Sequence, residues 1–259
     1  MKRPPRASSA WTMRSRATSG RTLSPLGIRM LKPGEPLPED VRVPSQSFKE
    51  QWIVCQSIGV ARRYGWGIAV GRDDVICPLP AIAFGLRKPN DEYLKGFAAV
   101  GMYCENEDAA ARLEASTWKF EPDTYDYVCV APLSRARFEP HVLAVYANSA
   151  QVLRLVHASL FKRGGRVAST TGGRLDCAEI VIQTMSTNEP KVILPCTGDR
   201  VFWDGAGQRD GVFGSVEIRR RDCRRARRHT QGRSPLSDNG RDALYGEHAE
   251  DLPGPDANA

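Results

Sequence analysis

An α+β fold class is predicted for this chain of 259 residues by three observations. Apolar runs of strand length mix with helix-periodic runs, but without the regular alternation that builds a parallel sheet. The runs are short and end at glycine or proline. A helix-strand-helix pattern also recurs at an offset of 100 residues, which points to an internal duplication.

Taken in order, Pro33, Pro36, Pro38 and Pro44 make residues 33–45 an extended lead-in, because each fixes its own φ and pushes its predecessor out of the helical region. The domain is expected to start near Ser45. From Ser47 to Tyr64 the apolar positions Phe48, Trp52, Ile53, Ile58 and Val60 follow helical spacing, Cys55 lies within the run, and Gly65 is placed to end it. Gly67 to Val70 read as a short strand and Gly71 to Asp74 as a turn. Cys77-Pro78 opens a second helix, since proline suits the first turn, and that helix ends by Gly85. A helix is predicted at Glu107–Ser116, and strands at Tyr127–Ala131 and His141–Tyr146. A helix Ser149–Phe161, the pair Gly164-Gly165, a polar loop Ser169–Arg174 and a helix Cys177–Met185 capped by Asp176 follow. Lys191–Leu194 reads as a strand running into Pro195-Cys196-Thr197-Gly198-Asp199-Arg200.

Laying residue i over i+100 pairs Gln51 with Gln151, Arg63 with Arg163, Gly65 with Gly165, Cys77 with Cys177 and Ile82 with Ile182. The two units span roughly 47–85 and 147–186. Two ordinary helix-turn-strand units matching by accident is the alternative.

The net charge of +7 is unevenly placed. Residues 1–32 hold eight basic residues and no acids, and residues 219–233 hold eight arginines against Asp222. Taking these +8 and +7 contributions from +7 leaves the rest of the chain at −8. Three regions are therefore expected: a disordered, basic and Pro-rich extension over 1–44, an α+β domain over 45–202, and a disordered Arg-rich tail over 203–259. The acid-free N-terminus superficially resembles a transit peptide, but no apolar core follows to make a secretory signal. We read it as an extension or a mis-assigned start. No run approaches the ~20 apolar residues of a membrane span, so a soluble, cytoplasmic protein without a membrane partner is expected. Nucleic-acid binding would rest on the tails alone, with no interleaved aromatics, and is disfavoured.

Several stretches resemble one family of prokaryotic proteins. They are Cys55-Gln56 with Ala61-Arg62 and Gly65, Cys77-Pro78 with Gly85, and Val145-Tyr146-Ala147-Asn148 with Ala150-Gln151. Gly172-Gly173-Arg174 before Cys177, and Pro195-Cys196 with Gly198-Asp199-Arg200, complete the pattern. The family is the domain of unknown function 169 group, archaeal and cysteine-rich but also bacterial, and the resemblance covers about residues 50–203. It implies that Cys55, Cys77, Cys177 and Cys196 belong to a shared pattern, and that Cys104, Cys129 and Cys223 do not. It implies no activity. After Phe202 the chain departs from what the family resembles, an acidic stretch with Glu-Met, an apolar strand and a final helix. Codons for Arg209-Asp210-Gly211-Val212-Phe213, read one nucleotide later, can spell Glu-Met-Val-Phe, which points to a frameshift, with a true basic tail as the alternative.

Cys77 and Cys177 fall at predicted helix N-termini, where free N–H groups and the helix dipole favour a thiolate. Four convergent thiolates from Cys55, Cys77, Cys177 and Cys196 would suit zinc or an iron–sulfur cluster. The intervening gaps of 21, 99 and 18 residues contain no C-x-x-C pair, so assembly depends on the fold. Redox-active thiols and inert core cysteines stay open as alternatives. Gly172, Gly173 and Arg174 before a helix, with Arg200, could instead hold an anion, or form an exposed loop with a solvated arginine. Asp199-Arg200 reads as a local ion pair or as a ligand contact. His141 and His157 read as structural, Asp73-Asp74 as capping groups, and Gly65, Gly67 and Gly71 as turn residues; no serine-histidine-acid arrangement can be assembled. The leading expectation is a metal or iron–sulfur centre in a redox or regulatory role. An enzyme or binding module for a small anionic ligand is the second, and a nucleic-acid-associated protein acting through its tails the third.

Overall fold

The computed structural model describes residues 25–203 and 211–215. In chain order the elements are β1 (Leu26–Leu31), β2 (Val41–Arg42), α1 (Pro44–Ser47), α2 (Val54–Tyr64), β3 (Gly67–Gly71), α3 (Pro78–Ala83), α4 (Asp91–Leu94) and α5 (Glu107–Ser116). They continue with β4 (Tyr127–Pro132), β5 (Val142–Ala147), α6 (Ser149–Leu160), α7 (Asp176–Thr187), β6 (Lys191–Ile193), α8 (Thr197–Trp203) and β7 (Gly211–Ser215). Among the described residues the strands form one mixed sheet in the order β2-β3-β4-β1-β5-β7-β6. Only the β2–β3 pair is parallel; the others run antiparallel. The α+β class holds.

The sheet follows from the period-2 pleat. Leu26, Ile28 and Met30 of β1, Ile68 and Val70 of β3, Val128 and Val130 of β4, and Val142, Ala144 and Tyr146 of β5 all enter the main core. Ile58 and Ala61 of α2, Ala81 and Ala83 of α3 and Ala178, Ile180 and Ile182 of α7 pack on the same side. The intervening residues supply two smaller clusters: Val145 and Ala147 with Val152 and Leu155 of α6, and Leu31, Ala69 and Cys129 with Val43. Helix ends obey local chemistry. Asn106 caps α5 by accepting from the Ala109 N–H at 3.0 Å, Asn148 and Gln151 form a reciprocal capping box on α6, and Gly65 ends α2 in the left-handed region at φ 73°.

Four expectations change. The domain does not begin near Ser45: Leu26–Leu31 is an inner strand hydrogen-bonded to both β4 and β5, and β2 follows within the supposed lead-in. The expected helix from Ser47 is broken, because Trp52 makes a β-bridge with Val75 and the helix starts only at Val54. The duplicated units share two helices but not the strand, since residues 167–171, opposite β3 in the 100-residue overlay, are irregular. The expected tail also contains a strand, β7, seated between β5 and β6. The disorder expected for residues 1–24, 204–210 and 216–259, Cys223 among them, lies outside the described residues.

Candidate metal centre

Three of the four pattern cysteines meet where α2, α7 and α8 begin. Cys55 lies in the first turn of α2, is 8% exposed, and faces the core. Cys177 is the second residue of α7 and is buried. Cys196 follows β6 and immediately precedes α8; Asp199, three residues on, lies on the same face of that turn. A sulfur of Cys55, a sulfur of Cys196 and a carboxylate oxygen of Asp199 lie within 4.8 Å of one another. The Cys196 thiol points at Asp199 Oδ2 at 3.7 Å, and the Cys55 thiol is in hydrogen-bonding contact with both Cys177 and Cys196. A methyl group built on Gly198 would sit 3.0 Å from Cys55 Sγ and 3.7 Å from Cys196 Sγ. The bare Cα is what admits both sulfurs.

Asp176 ties the group together. The sequence reading made it the cap of the following helix, but Leu175 takes the N-cap position, in the left-handed region at φ 61°. The Asp176 carboxylate instead accepts the Cys196 backbone N–H at 2.5 Å and faces the Asp199 carboxyl. Asp176 and Asp199 are 1% and 0% exposed, and neither Asp176 Oδ2 nor Asp199 Oδ1 finds a donor among the described residues. Two carboxylates in contact inside a protein cannot both stay ionised without a cation or a shared proton.

The electrostatics overturn one expectation. Helix N-termini were to favour thiolates at Cys77 and Cys177, yet both titrate above the ordinary thiol range. For Cys177 the Cys55 thiol works downward, but burial and the charges of Asp199 and Asp176 carry the group up to about 12. Cys77 is raised by burial against a downward pull from the Leu79 N–H. Cys55 is pushed up by its contact with Cys177, and Cys196 by its contact with Cys55, with burial adding to both. Burial, then the neighbouring Asp176, holds Asp199 far above the carboxylate range. Every donor is thus pushed toward its protonated form by crowded acids and lack of water, the imbalance that a cation removes.

The structure separates the predicted residues. Cys55, Cys177 and Cys196 come together. Cys77, the N-cap of α3, is close enough for Cys196 to raise its pKa but stands outside the contact group. Cys129 lies on the other face of the sheet, in the small cluster with Leu31. Asp199, which the sequence left between ion pair and ligand contact, is the added donor: its carboxyl turns inward while Arg200 Nε donates to the Pro195 carbonyl at 3.1 Å. A carboxylate three residues after a cysteine is the signal that could have marked it in the sequence.

The anion set fares differently. Arg174 is not in a solvated loop: its guanidinium is buried and ion-paired with buried Glu114 at 2.6 Å, under the Tyr103 ring at 5.7 Å. The Gly172 N–H points to the Glu179 carboxylate, whose pKa burial carries to about 7, and Gly173 sits at φ 73° on the surface. Arg200 is exposed. Arg174 and the Gly172 N–H are thus turned toward buried acids rather than toward solvent.

The fold and this cluster stand beside one clear kinship. A family described as "Uncharacterised ArCR", the domain of unknown function 169 family, matches residues 18–206. The chain belongs to it. An uncharacterized protein of Methanocaldococcus jannaschii is 27% identical over 181 residues, covering 68% of this chain and 75% of that protein. No solved structure matches. The domain of unknown function 169 match contains all four pattern cysteines and Asp199, and stops short of β7. No helix among the described residues is long and apolar enough to cross a membrane.

Proposed function

We propose that this protein holds a single thiophilic divalent cation, zinc in the first instance, through Cys55, Cys177, Cys196 and Asp199. One observation carries the reading: two cysteine sulfurs and a buried carboxylate oxygen lie within 4.8 Å of one another, with a third thiol in contact. At Zn–S distances of about 2.3 Å, tetrahedral ligands stand roughly 3.8 Å apart. Sulfurs in mutual hydrogen-bonding contact suit that spacing. An iron–sulfur cluster would call on Cys77 as its fourth thiolate; Cys77 outside the contact group and Asp199 inside it favour the single ion. Four protein donors close the coordination sphere, which suits a structural or regulatory centre rather than Lewis-acid catalysis. A reducing, cytoplasmic setting would keep the thiols available.

The bound ion would bring the positive charge that the crowded acids lack and would hold α2, α7 and α8 together at their N-terminal ends. Purification without chelator followed by elemental analysis should find about one zinc per chain. Cobalt substitution should give the intense near-ultraviolet band of thiolate-to-metal charge transfer, weakened in Cys55→Ser. A folded protein that copurifies with no zinc and whose Tm does not rise on zinc addition would remove the reading.

A further inference from the structure

We propose that Cys196 and Cys55 close into a reversible disulfide when the protein meets a hydroperoxide. The inference uses residues of the candidate metal centre but needs no bound metal.

Three features select this pair. Helices α2 and α8 lie side by side, and the sulfurs of Cys55 and Cys196 crowd over the same bare Gly198 Cα. Access differs along the group: Cys196 is only partly buried, whereas Cys55 and Cys177 are 8% and 2% exposed. An oxidant arriving from solvent therefore meets Cys196 first, and Cys55 stands next to it as the resolving thiol. The competing partners are placed less well. Cys77 lies outside the contact group, and Cys129 is on the opposite face of the sheet.

The chemistry balances in two steps. The Cys55 thiol and burial hold Cys196 protonated, so its attack on the peroxide is slow and runs through the thiolate left when its proton passes to solvent. An S–O bond forms as the O–O bond breaks, and the departing hydroxide takes up a proton and leaves as water. The Cys55 sulfur then attacks the Cys196 sulfur. The S–S bond forms, the S–O bond breaks, and the hydroxyl leaves as a second water with the proton from Cys55. Two thiols have given two electrons to one peroxide, and a dithiol can return them. Closing this bond takes two of the four proposed donors from the metal, so oxidation and metal occupancy exclude one another.

The test uses the full chain, metal-free and zinc-treated. Each form is exposed to hydrogen peroxide, its remaining thiols are alkylated, and its peptides are mapped without reduction. The expected product is one cross-link joining Cys55 to Cys196 that dithiothreitol reverses, kept in Cys177→Ser and lost in Cys196→Ser; zinc-loaded protein should also release its zinc to a chromogenic chelator. A Cys55–Cys177 or Cys77–Cys196 link would overturn the assignment, as would over-oxidation of Cys196 with Cys55 still alkylatable. Wild-type mapping decides even where a variant fails to fold. A cross-link in protein that binds no zinc would leave the disulfide standing and the metal reading fallen, while zinc binding without the cross-link would do the reverse.

Discussion

Gly198 shows how a single missing methyl group can define a site. An added Cβ would press on Cys55 Sγ at 3.0 Å, so Gly198→Ala should displace a thiol while leaving the surrounding core filled. Losses of about tenfold to hundredfold in metal affinity accompany damage to the groups around a metal site. We expect zinc affinity to fall in that range, with a much smaller change in the Tm of metal-free protein, measured by chelator competition and calorimetry. Arg174 and Glu114 make a different prediction, because both side chains are at most 2% exposed. Arg174→Met alone would strand a buried carboxylate and cost about 3–5 kcal/mol. Adding Glu114→Leu should recover most of it, as read from denaturant midpoints. His141 supplies a pH dependence. Its Nδ1 accepts the Met30 N–H at 3.2 Å, and burial, then the Arg29 charge, lowers its pKa. The unfolded chain therefore takes up this proton first, near pH ~6.5. Stability is complete above that pH and is lost as pH falls through the window down to the lowered value; His141→Gln should flatten that part of the pH–stability curve. At this scale the sequence was informative about type and poor about surroundings. It marked Cys55, Cys177 and Cys196, but neither the burial that raises their pKa values nor the pairing of Arg174 with Glu114, separated by 60 positions in the chain, leaves a local signature.

Elements were legible where local chemistry decides them. Glu107–Ser116 is a helix because Asn106 caps it and two acids begin it, and β4 and β5 are unbroken buried runs bounded by turn residues. The strands that were missed are those whose reason to exist lies elsewhere in the chain. Leu26–Leu31 is an ordinary apolar run inside an acid-free, arginine-bearing segment, and only its pairing with Leu143 and Val130, more than 100 positions away, makes it an inner strand. Gly211–Ser215 is masked in the same way by the arginines after it. Helix α7 comes so close to β7 that a Cβ on Gly214 would lie 2.8 Å from Ile180 Cδ1 and 3.0 Å from Thr184 Oγ1. Gly214→Ala should therefore overpack this junction and destabilise the protein by about 1–3 kcal/mol, seen as a lower denaturant midpoint with an unchanged slope. A strand at this position narrows the frameshift proposal without deciding it, since Val-Phe occurs in both reading frames. Resequencing that finds an undisturbed frame would sink that proposal.

On the scale of the whole molecule, the sheet makes a prediction about where the chain can be cut. β7 exchanges hydrogen bonds with β5 along residues 143–147 and with β6 along 191–193. It is the only link between β6 and the rest of the sheet among the described strands. Stopping the chain after residue 203 would leave the β5 backbone open on one side and detach β6, the strand that leads directly into Pro195-Cys196. Buried backbone groups without partners are costly, and the loss falls beside the metal donors. A chain of residues 1–203 should therefore fail to melt cooperatively and should bind zinc poorly. A chain ending at residue 218 keeps every described strand together with α7 and α8. It should match the full protein in Tm and in zinc stoichiometry. The pair of truncations separates two ideas about the arginine-rich region that follows. Equal behaviour of the 218-residue and full-length chains would mean that neither the fold nor the centre needs that region; a drop in Tm on its removal would mean that the domain extends beyond β7.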